Sequence, residues 1–179
     1  MKLLNDGLVK EIGQVVRDKF QKFPEIISAY LYGSILSDKF SEASDIDILF
    51  IVKNLTDTRS FFDTIKASRE SIGGHSLDVN VVFEREFNRL WHIYRPPTYF
   101  YWIKKRGNLL WGDDLISTIQ ESNISPESIY RRAVDLAQSC RSVYLNDKDD
   151  KFWETKYRRW LRTLVSEIYY LEGGLKYDF

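Results

Sequence analysis

The sequence is poor in the residues that build disulfides and soft-metal sites. It contains one cysteine, Cys140, and two histidines, His75 and His92. A single cysteine excludes an internal disulfide and, with no signal peptide in the sequence, favours a reducing cytoplasm as the compartment. The two histidines do not have a metal-ligand spacing, and we interpret both as structural residues.

The chain also lacks an excess of charge and a long apolar run. Its 26 basic and 26 acidic side chains give a formal net charge of zero. Proteins that bind nucleic acid through their whole surface carry a basic excess, so this partner class is disfavoured. No apolar run approaches the roughly 20 residues that span a bilayer, and we expect a soluble protein without a membrane partner.

The apolar pattern predicts alternating helices and strands in the first two thirds of the chain. Hydrophobic residues make up 44% of the 179 residues, enough for a sizeable core. The predicted elements are a helix around 8–20, a strand at 26–32, a strand that opens with Asp45 and Asp47, a helix around 61–72 and a strand at 77–83. This alternation favours an α/β or α+β fold.

The remainder of the chain is predicted to be helical. Pro96-Pro97 divides residues 84–106 into two short helices, and Ser125-Pro126 is a favourable helix start. We predict a core at 1–120 and a C-terminal helical region at 121–179. Cys140 falls on the apolar stripe of the first C-terminal helix. The last helix has a longer apolar stripe, formed by Trp153, Tyr157, Trp160, Leu161, Leu164, Ile168 and Leu171.

The stretch from Tyr30 to Val52 carries the strongest chemical signal. An apolar strand leads into Gly33-Ser34, and ten residues later Asp45 and Asp47 open a second strand. Because the aspartates are two residues apart, an extended strand directs both side chains to one face. Two neighbouring carboxylates destabilise a fold unless a cation neutralises them, and a divalent metal is the simplest such partner.

This motif resembles the signature of the polymerase-β-like nucleotidyltransferases, especially their minimal and aminoglycoside-type members. The family has a third carboxylate on a later strand, and Asp78 occupies such a position. Residues 103–112 are similar to the helix and glycine-flanked segment that often closes the domain. The resemblance covers roughly residues 25 to 115 and implies a small mixed β-sheet core flanked by helices, followed by a C-terminal helical segment.

The resemblance also implies a reaction. A nucleoside monophosphate would pass from a nucleoside triphosphate, such as ATP, to a hydroxyl acceptor, and pyrophosphate would be released. Two Mg²⁺ ions would be held by Asp45, Asp47 and Asp78, the family's catalytic and metal-binding positions. Gly33 and Ser34 would bind the phosphates. Lys39 is a further candidate phosphate contact, although a loop lysine of this kind is also typical of a solvated surface.

Several alternatives stay open. The acceptor within this superfamily is a small alcohol, a protein side chain or an RNA 3′ end, and the neutral charge argues mildly against RNA. The C-terminal helices resemble the helical partners of small nucleotidyltransferases, which predicts a homodimer or a helical partner subunit. Asn80 is either a site residue or an ordinary surface residue, and the aromatic stretch 91–102 is either packing or an acceptor pocket. A non-catalytic, antitoxin-like nucleotide-binding protein is the alternative function.

Overall fold

The computed structural model describes residues 6–37, 40–41, 44–68, 74–90, 98–146 and 151–173. Among them are four strands, β1 (Ile26–Tyr32), β2 (Ile46–Val52), β3 (Leu77–Phe83) and β4 (Asn108–Gly112). The helices are α1 (Asp6–Phe20), α2 (Thr58–Ser68), α3 (Glu84–Phe87), α4 (Tyr99–Arg106), α5 (Pro126–Asn146) and α6 (Lys151–Gly173). The chain divides into two compact units, one formed by residues 1–89 and 100–119 and the other by residues 90–99 and 120–179. The second unit therefore includes a segment upstream of the predicted boundary at residue 120.

The first unit is built on a mixed sheet with the strand order β3-β2-β1-β4. Strand β1 pairs antiparallel with β2 and β4, whereas β2 pairs parallel with β3. Parallel strands require a crossover connection, and α2 lies in the segment that joins β2 to β3. The mixed sheet and its flanking helices confirm the predicted fold class.

One face of the sheet forms the main hydrophobic core with α1 and α2. Alternate residues of β2, from Ile46 to Val52, are fully buried on this face. The rings of Phe20 on α1 and Phe50 on β2 have centroids 4.8 Å apart, and Phe61 on α2 packs edge-on against Phe50. Burying side chains of this size stabilises the fold by about 1.5–3 kcal/mol each. This packing fixes which residues of β2 point away from the helices.

The opposite face of the sheet is apolar and buried at one end of its strands and polar and half-exposed at the other. Toward the interior it carries Leu49 and Ile51, both fully buried, and Tyr30. The Tyr30 hydroxyl donates to the Asp113 carbonyl oxygen at 3.2 Å and accepts from the Ile116 N–H at 3.0 Å. Burial raises the pKa of Tyr30 to about 12. Toward the start of β2 the same face becomes polar and half-exposed.

The second unit contains the two long helices. Helix α5 begins as predicted, because the Ser128 N–H donates to the Ser125 hydroxyl oxygen at 3.4 Å. The predicted apolar stripe of α6 is wrong in part, since Ile168 and Leu171 are 43% and 37% exposed whereas Glu167 is 1% exposed. Successive helical residues are separated by about 100°, so a buried Glu167 turns Ile168 toward solvent. Trp160 and Leu164 are half-buried, as the stripe predicts.

Some predictions fall outside the described residues. They concern Lys39, His92, the residues Trp91 to Pro97 of the aromatic stretch, and the side chains of Cys140, Trp153 and Tyr157. In the part of the chain that the structure describes, no helix has the combined length and hydrophobicity to cross a membrane.

Candidate active site

Two of the predicted aspartates are direct neighbours across the parallel pair of strands. Asp47 on β2 is in register with Asp78 on β3. Neighbouring strands lie about 4.8 Å apart, and paired residues direct their side chains to the same face of the sheet. Both side chains are half-buried. The parallel pairing, and not proximity in sequence, therefore brings these two carboxylates together.

Gly33 follows β1 at the same end of the sheet. Tyr32, the last residue of β1, is in register with Asp47, so Gly33 passes directly beside the Asp47 side chain. Gly33 has φ of +86°, and a Cβ at this position would overlap the Oδ2 atom of Asp47. Glycine is thus required twice here, once for the backbone conformation and once for space.

Ser34 begins a short 3₁₀ turn, Ser34–Leu36. The turn is closed by two hydrogen bonds to the Ser34 carbonyl oxygen, one from the Ser37 N–H at 2.9 Å and one from the Ser37 hydroxyl at 2.8 Å. The loop after β1 therefore has a defined conformation beside Asp47. Ser34 itself is half-buried.

Asp45 is placed differently from the other two aspartates. It is exposed, lies just before β2, and accepts a hydrogen bond at Oδ1 from the Ser76 hydroxyl. The Ile46 N–H also donates to the Ser76 carbonyl oxygen at 2.8 Å, which ties the starts of β2 and β3 together. Across the described ranges, no three His, Cys, Asp or Glu side chains are grouped closely enough to hold a metal ion. The structure thus pairs Asp47 with Asp78 and leaves Asp45 bonded to Ser76.

Two polar residues at this end of the sheet, Ser76 and Tyr32, were not recognised as site residues from the sequence, which left the role of Asn80 open. Ser76 holds Asp45, and the Asn80 side-chain amide donates to the Tyr32 hydroxyl oxygen at 2.7 Å. A signal was present, because Ser76, Asp78 and Asn80 recur at every second position and so share one face of an extended segment.

His75 makes structural contacts next to this site. Its Nδ1 atom lies 2.9 Å from the Ser44 carbonyl oxygen, and its ring packs on Phe40 with centroids 4.6 Å apart. These contacts fix the end of the loop that leads into β2. They agree with the interpretation of His75 as a structural residue.

The donor atoms of the site suit a hard divalent cation. Asp47 and Asp78 offer carboxylate oxygens, the ligands that Mg²⁺ prefers, and Mg²⁺ needs only one or two protein carboxylates. Like charges side by side on neighbouring strands are destabilising unless a cation lies between them. The missing Cβ at Gly33 gives the Asp47 carboxylate the room that it occupies beside β1. The residues present therefore fit the metal that the sequence predicts.

Comparison with known proteins finds the family that the sequence motif resembles. Residues 14–95 match the model of the family described as polymerase beta, nucleotidyltransferase. No curated protein sequence matches the chain. The match begins within α1 and includes the Gly33-Ser34 loop and all three aspartates.

For three solved structures, the similarity to this chain extends over most of the solved protein's length. A protein from Sulfolobus solfataricus assigned to the nucleotidyltransferases is 25% identical over 60% of this chain and 83% of its own, with a TM-score of 0.38. A toxin-antitoxin protein crystallised with AMP-PNP is 18% identical over 76% and 98%, with a TM-score of 0.42. Spectinomycin adenyltransferase AAD(9) from Enterococcus faecialis, solved with ATP and spectinomycin, is 14% identical over 96% and 90%, with a TM-score of 0.48.

Proposed function

We propose that this chain, which matches the polymerase beta nucleotidyltransferase family over residues 14–95, is a Mg²⁺-dependent nucleotidyltransferase. It transfers a nucleoside monophosphate from a nucleoside triphosphate to a hydroxyl group and releases pyrophosphate. The observation that carries the proposal is the register pair Asp47 and Asp78 beside the bare backbone of Gly33.

Each residue of the site has a distinct role in this proposal. Asp47 and Asp78 hold the metal ions, and Asp45 joins them as a ligand. Mg²⁺ supplies charge neutralisation at the phosphates and lowers the pKa of the attacking hydroxyl. Asp78 accepts the proton of that hydroxyl while the hydroxyl oxygen bonds to the α-phosphorus. The bond from the α-phosphorus to the bridging oxygen breaks, and the pair of electrons leaves with pyrophosphate.

The loop after β1 binds the leaving group in this scheme. Backbone N–H groups in a tight turn and a serine hydroxyl are suitable donors to phosphate oxygens. Gly33 and Ser34 therefore contact the β- and γ-phosphates, with Gly33 allowing close approach of the backbone. Lys39 stays a candidate for a further phosphate contact.

The acceptor class is a small molecule or a protein side chain. The formal net charge of zero gives no general attraction to a nucleic-acid backbone, so an RNA acceptor is disfavoured. A helical partner subunit or a second copy of the chain, predicted from the sequence, is retained as a proposal for the assembly.

The test is transfer of label from each α-labelled nucleoside triphosphate in the presence of Mg²⁺. Pyrophosphate release and label on the protein or on added acceptors are followed together. The Asp45→Asn, Asp47→Asn protein is expected to lose both signals. Asp63→Asn is a matched control, because Asp63 is an exposed residue of α2 whose contacts are with Arg59 and Lys66. Equal transfer by the double variant and the parent would contradict the proposal.

The second candidate is a non-catalytic protein that acts by association. One observation favours it: α6 exposes Val165, Ile168 and Tyr169 by 45%, 43% and 40%. Exposed apolar side chains grouped on one helix are typical of contact surfaces. Nucleotide binding without transfer to any acceptor would favour this candidate over the enzyme.

A further inference from the structure

A hydrogen bond links the two strands on either side of Asp47. Tyr32 is on β1, Asn80 is on β3, and β2 lies between these strands. Nevertheless the Asn80 side-chain amide donates to the Tyr32 hydroxyl oxygen at 2.7 Å. The two side chains must therefore meet above β2, on the face that carries Asp47 and Leu49. We call this pair the Tyr32–Asn80 bridge.

The bridge lies on the interior side of the two carboxylates. Tyr32, Asp47 and Asp78 form one row across three strands, because Tyr32 is in register with Asp47 and Asp47 with Asp78. Asn80 is in register with Leu49, in the next row toward the interior. Tyr32 is only 9% exposed, so its ring fills the space between the polar row and the buried part of the face.

The bridge also constrains the spacing of the strands. Two ionised carboxylates on neighbouring strands repel each other, which favours a wider separation of β2 and β3 at this end. A hydrogen bond from β3 to β1 across β2 opposes that separation. A metal site works best when supporting residues hold its ligands within about 0.5 Å of the productive geometry.

From this geometry we propose that Tyr32 and Asn80 are positioning residues that hold Asp47 and Asp78 at metal-binding distance. The inference rests on the proposed function, since it concerns the same carboxylate pair. Neither residue contacts the reacting atoms in this role. Both act through the aspartates, and the two act as one unit.

The test is a double-mutant cycle read by Mn²⁺ binding, with free Mn²⁺ measured by electron paramagnetic resonance. Tyr32→Phe and Asn80→Ala each remove one partner of the bond. Each is expected to weaken Mn²⁺ binding by about fivefold, as the loss of one hydrogen bond predicts. The double variant is expected to bind as weakly as either single variant, because both remove the same interaction. The turnover number should follow the same pattern, with an unchanged KM for the nucleotide.

Tyr30→Phe is the matched control. Tyr30 is on the same strand and the same face, two residues from Tyr32, and its hydroxyl also makes hydrogen bonds. We expect this variant to melt at a lower temperature and to bind Mn²⁺ as the parent does. The inference would be overturned if the losses of Mn²⁺ affinity in the two single variants add up in the double variant. It would also be overturned if Tyr32→Phe binds Mn²⁺ as tightly as the parent.

Failure of the proposed function gives a different pattern. If the parent and Asp47→Asn bind Mn²⁺ equally, or neither binds it, the metal site itself is refuted together with the bridge's role. If Asp47→Asn loses binding while the bridge variants keep it, the inference alone fails.

Discussion

Asp47 and Asp78 lie side by side at a half-exposed end of the sheet, whereas Glu167 is a single carboxyl group buried in the helical unit. The Glu167 Oε1 atom accepts a hydrogen bond from the Thr98 hydroxyl at 2.8 Å, and its Oε2 atom has no hydrogen-bond partner among the described residues. Burial raises the pKa of Glu167 to about 7, against the opposing effects of Thr98 and of the Arg132 charge.

The contrast shows how surroundings decide what a carboxyl group does. Glu167 is shielded from water and keeps its proton to a higher pH than an exposed glutamate, so below about pH 7 it contributes as a neutral hydrogen-bonding group inside the helical unit. The aspartate pair keeps access to solvent and has a neighbour of like charge, which favours binding of a cation. The same functional group is thus structural in one unit and a candidate ligand in the other.

The largest effect should come from removing a charge from the aspartate pair. Asp78→Asn is expected to lower the rate of transfer by about 10³-fold, since metal-assisted stabilisation of this type contributes several kcal/mol. Without metal the same variant should be more stable than the parent, by up to about 1 kcal/mol, because the repulsion is gone. Activity assays and thermal melting in chelator measure the two effects. An Asp78→Asn protein that keeps its activity and is less stable than the parent would show that Asp78, like Glu167, has a structural role.

Glu167 is expected to make stability depend on pH in the direction opposite to that of a salt-bridged acid. Its pKa is raised from 4.5 to about 7 in the folded protein, so between these values the folded chain holds a proton that the unfolded chain has released. The free energy of unfolding should therefore fall as the pH rises from about 4.5 to about 7, by at most about 3 kcal/mol. Urea unfolding at pH 5 and pH 8 measures this loss.

Glu167→Gln should flatten that dependence, because the amide has the same shape and still accepts from Thr98. Glu172→Gln, at an exposed position of the same helix, is the control and should keep the pH dependence of the parent. An equal slope for Glu167→Gln and the parent would show that Glu167 is not the group responsible.

Gly33→Ala tests how closely the backbone at Gly33 approaches the Asp47 side chain. The added Cβ would overlap Asp47 Oδ2 and would stand on a backbone with φ of +86°. We expect a loss of about 2 kcal/mol in the free energy of unfolding, with a loss of activity as Asp47 is displaced. Gly7→Ala is the matched control, since a Cβ there meets no atom within 4 Å and lies in α1, where alanine is favoured. Equal stability of the two variants would contradict the close approach at Gly33.

The smallest effect on stability should come from the exposed side chains of α6. Val165→Ser and Ile168→Ser are expected to change the free energy of unfolding by no more than about 0.5 kcal/mol, as surface substitutions do. If the predicted homodimer uses this face, both variants should sediment as monomers at concentrations where the parent is a dimer. A parent that sediments as a monomer at every concentration would refute the homodimer.

The sequence was sufficient to predict the parts of the fold that depend on local pattern. The bounds of β1 and β3 agree with the predicted strands, because short apolar runs between turn residues carry that information. The meeting of Asp47 and Asp78 was also predictable, through the resemblance of their motif to a known family. The roles of these residues in metal binding and catalysis stay predictions.

Other features depend on contacts that no local pattern encodes. The bond between Tyr32 and Asn80 requires the register of two strands that are not adjacent in the sheet, and this register is set by tertiary packing. The face of α6 was misjudged because apolar residues occur all around it. The buried Glu167 accepts its hydrogen bond from Thr98, which is distant in sequence.

The crossover through α2 has a consequence for the order of folding. Asp47 and Asp78 become neighbours only when β3 has paired with β2 across that connection. Pairing of distant segments is slow, because loop-closure entropy is lost before the contacts form. A cation that requires both carboxylates would then recognise only chains that have completed this pairing. Such an ion would lengthen the lifetime of the native protein by slowing unfolding, with little effect on the rate at which the sheet first assembles.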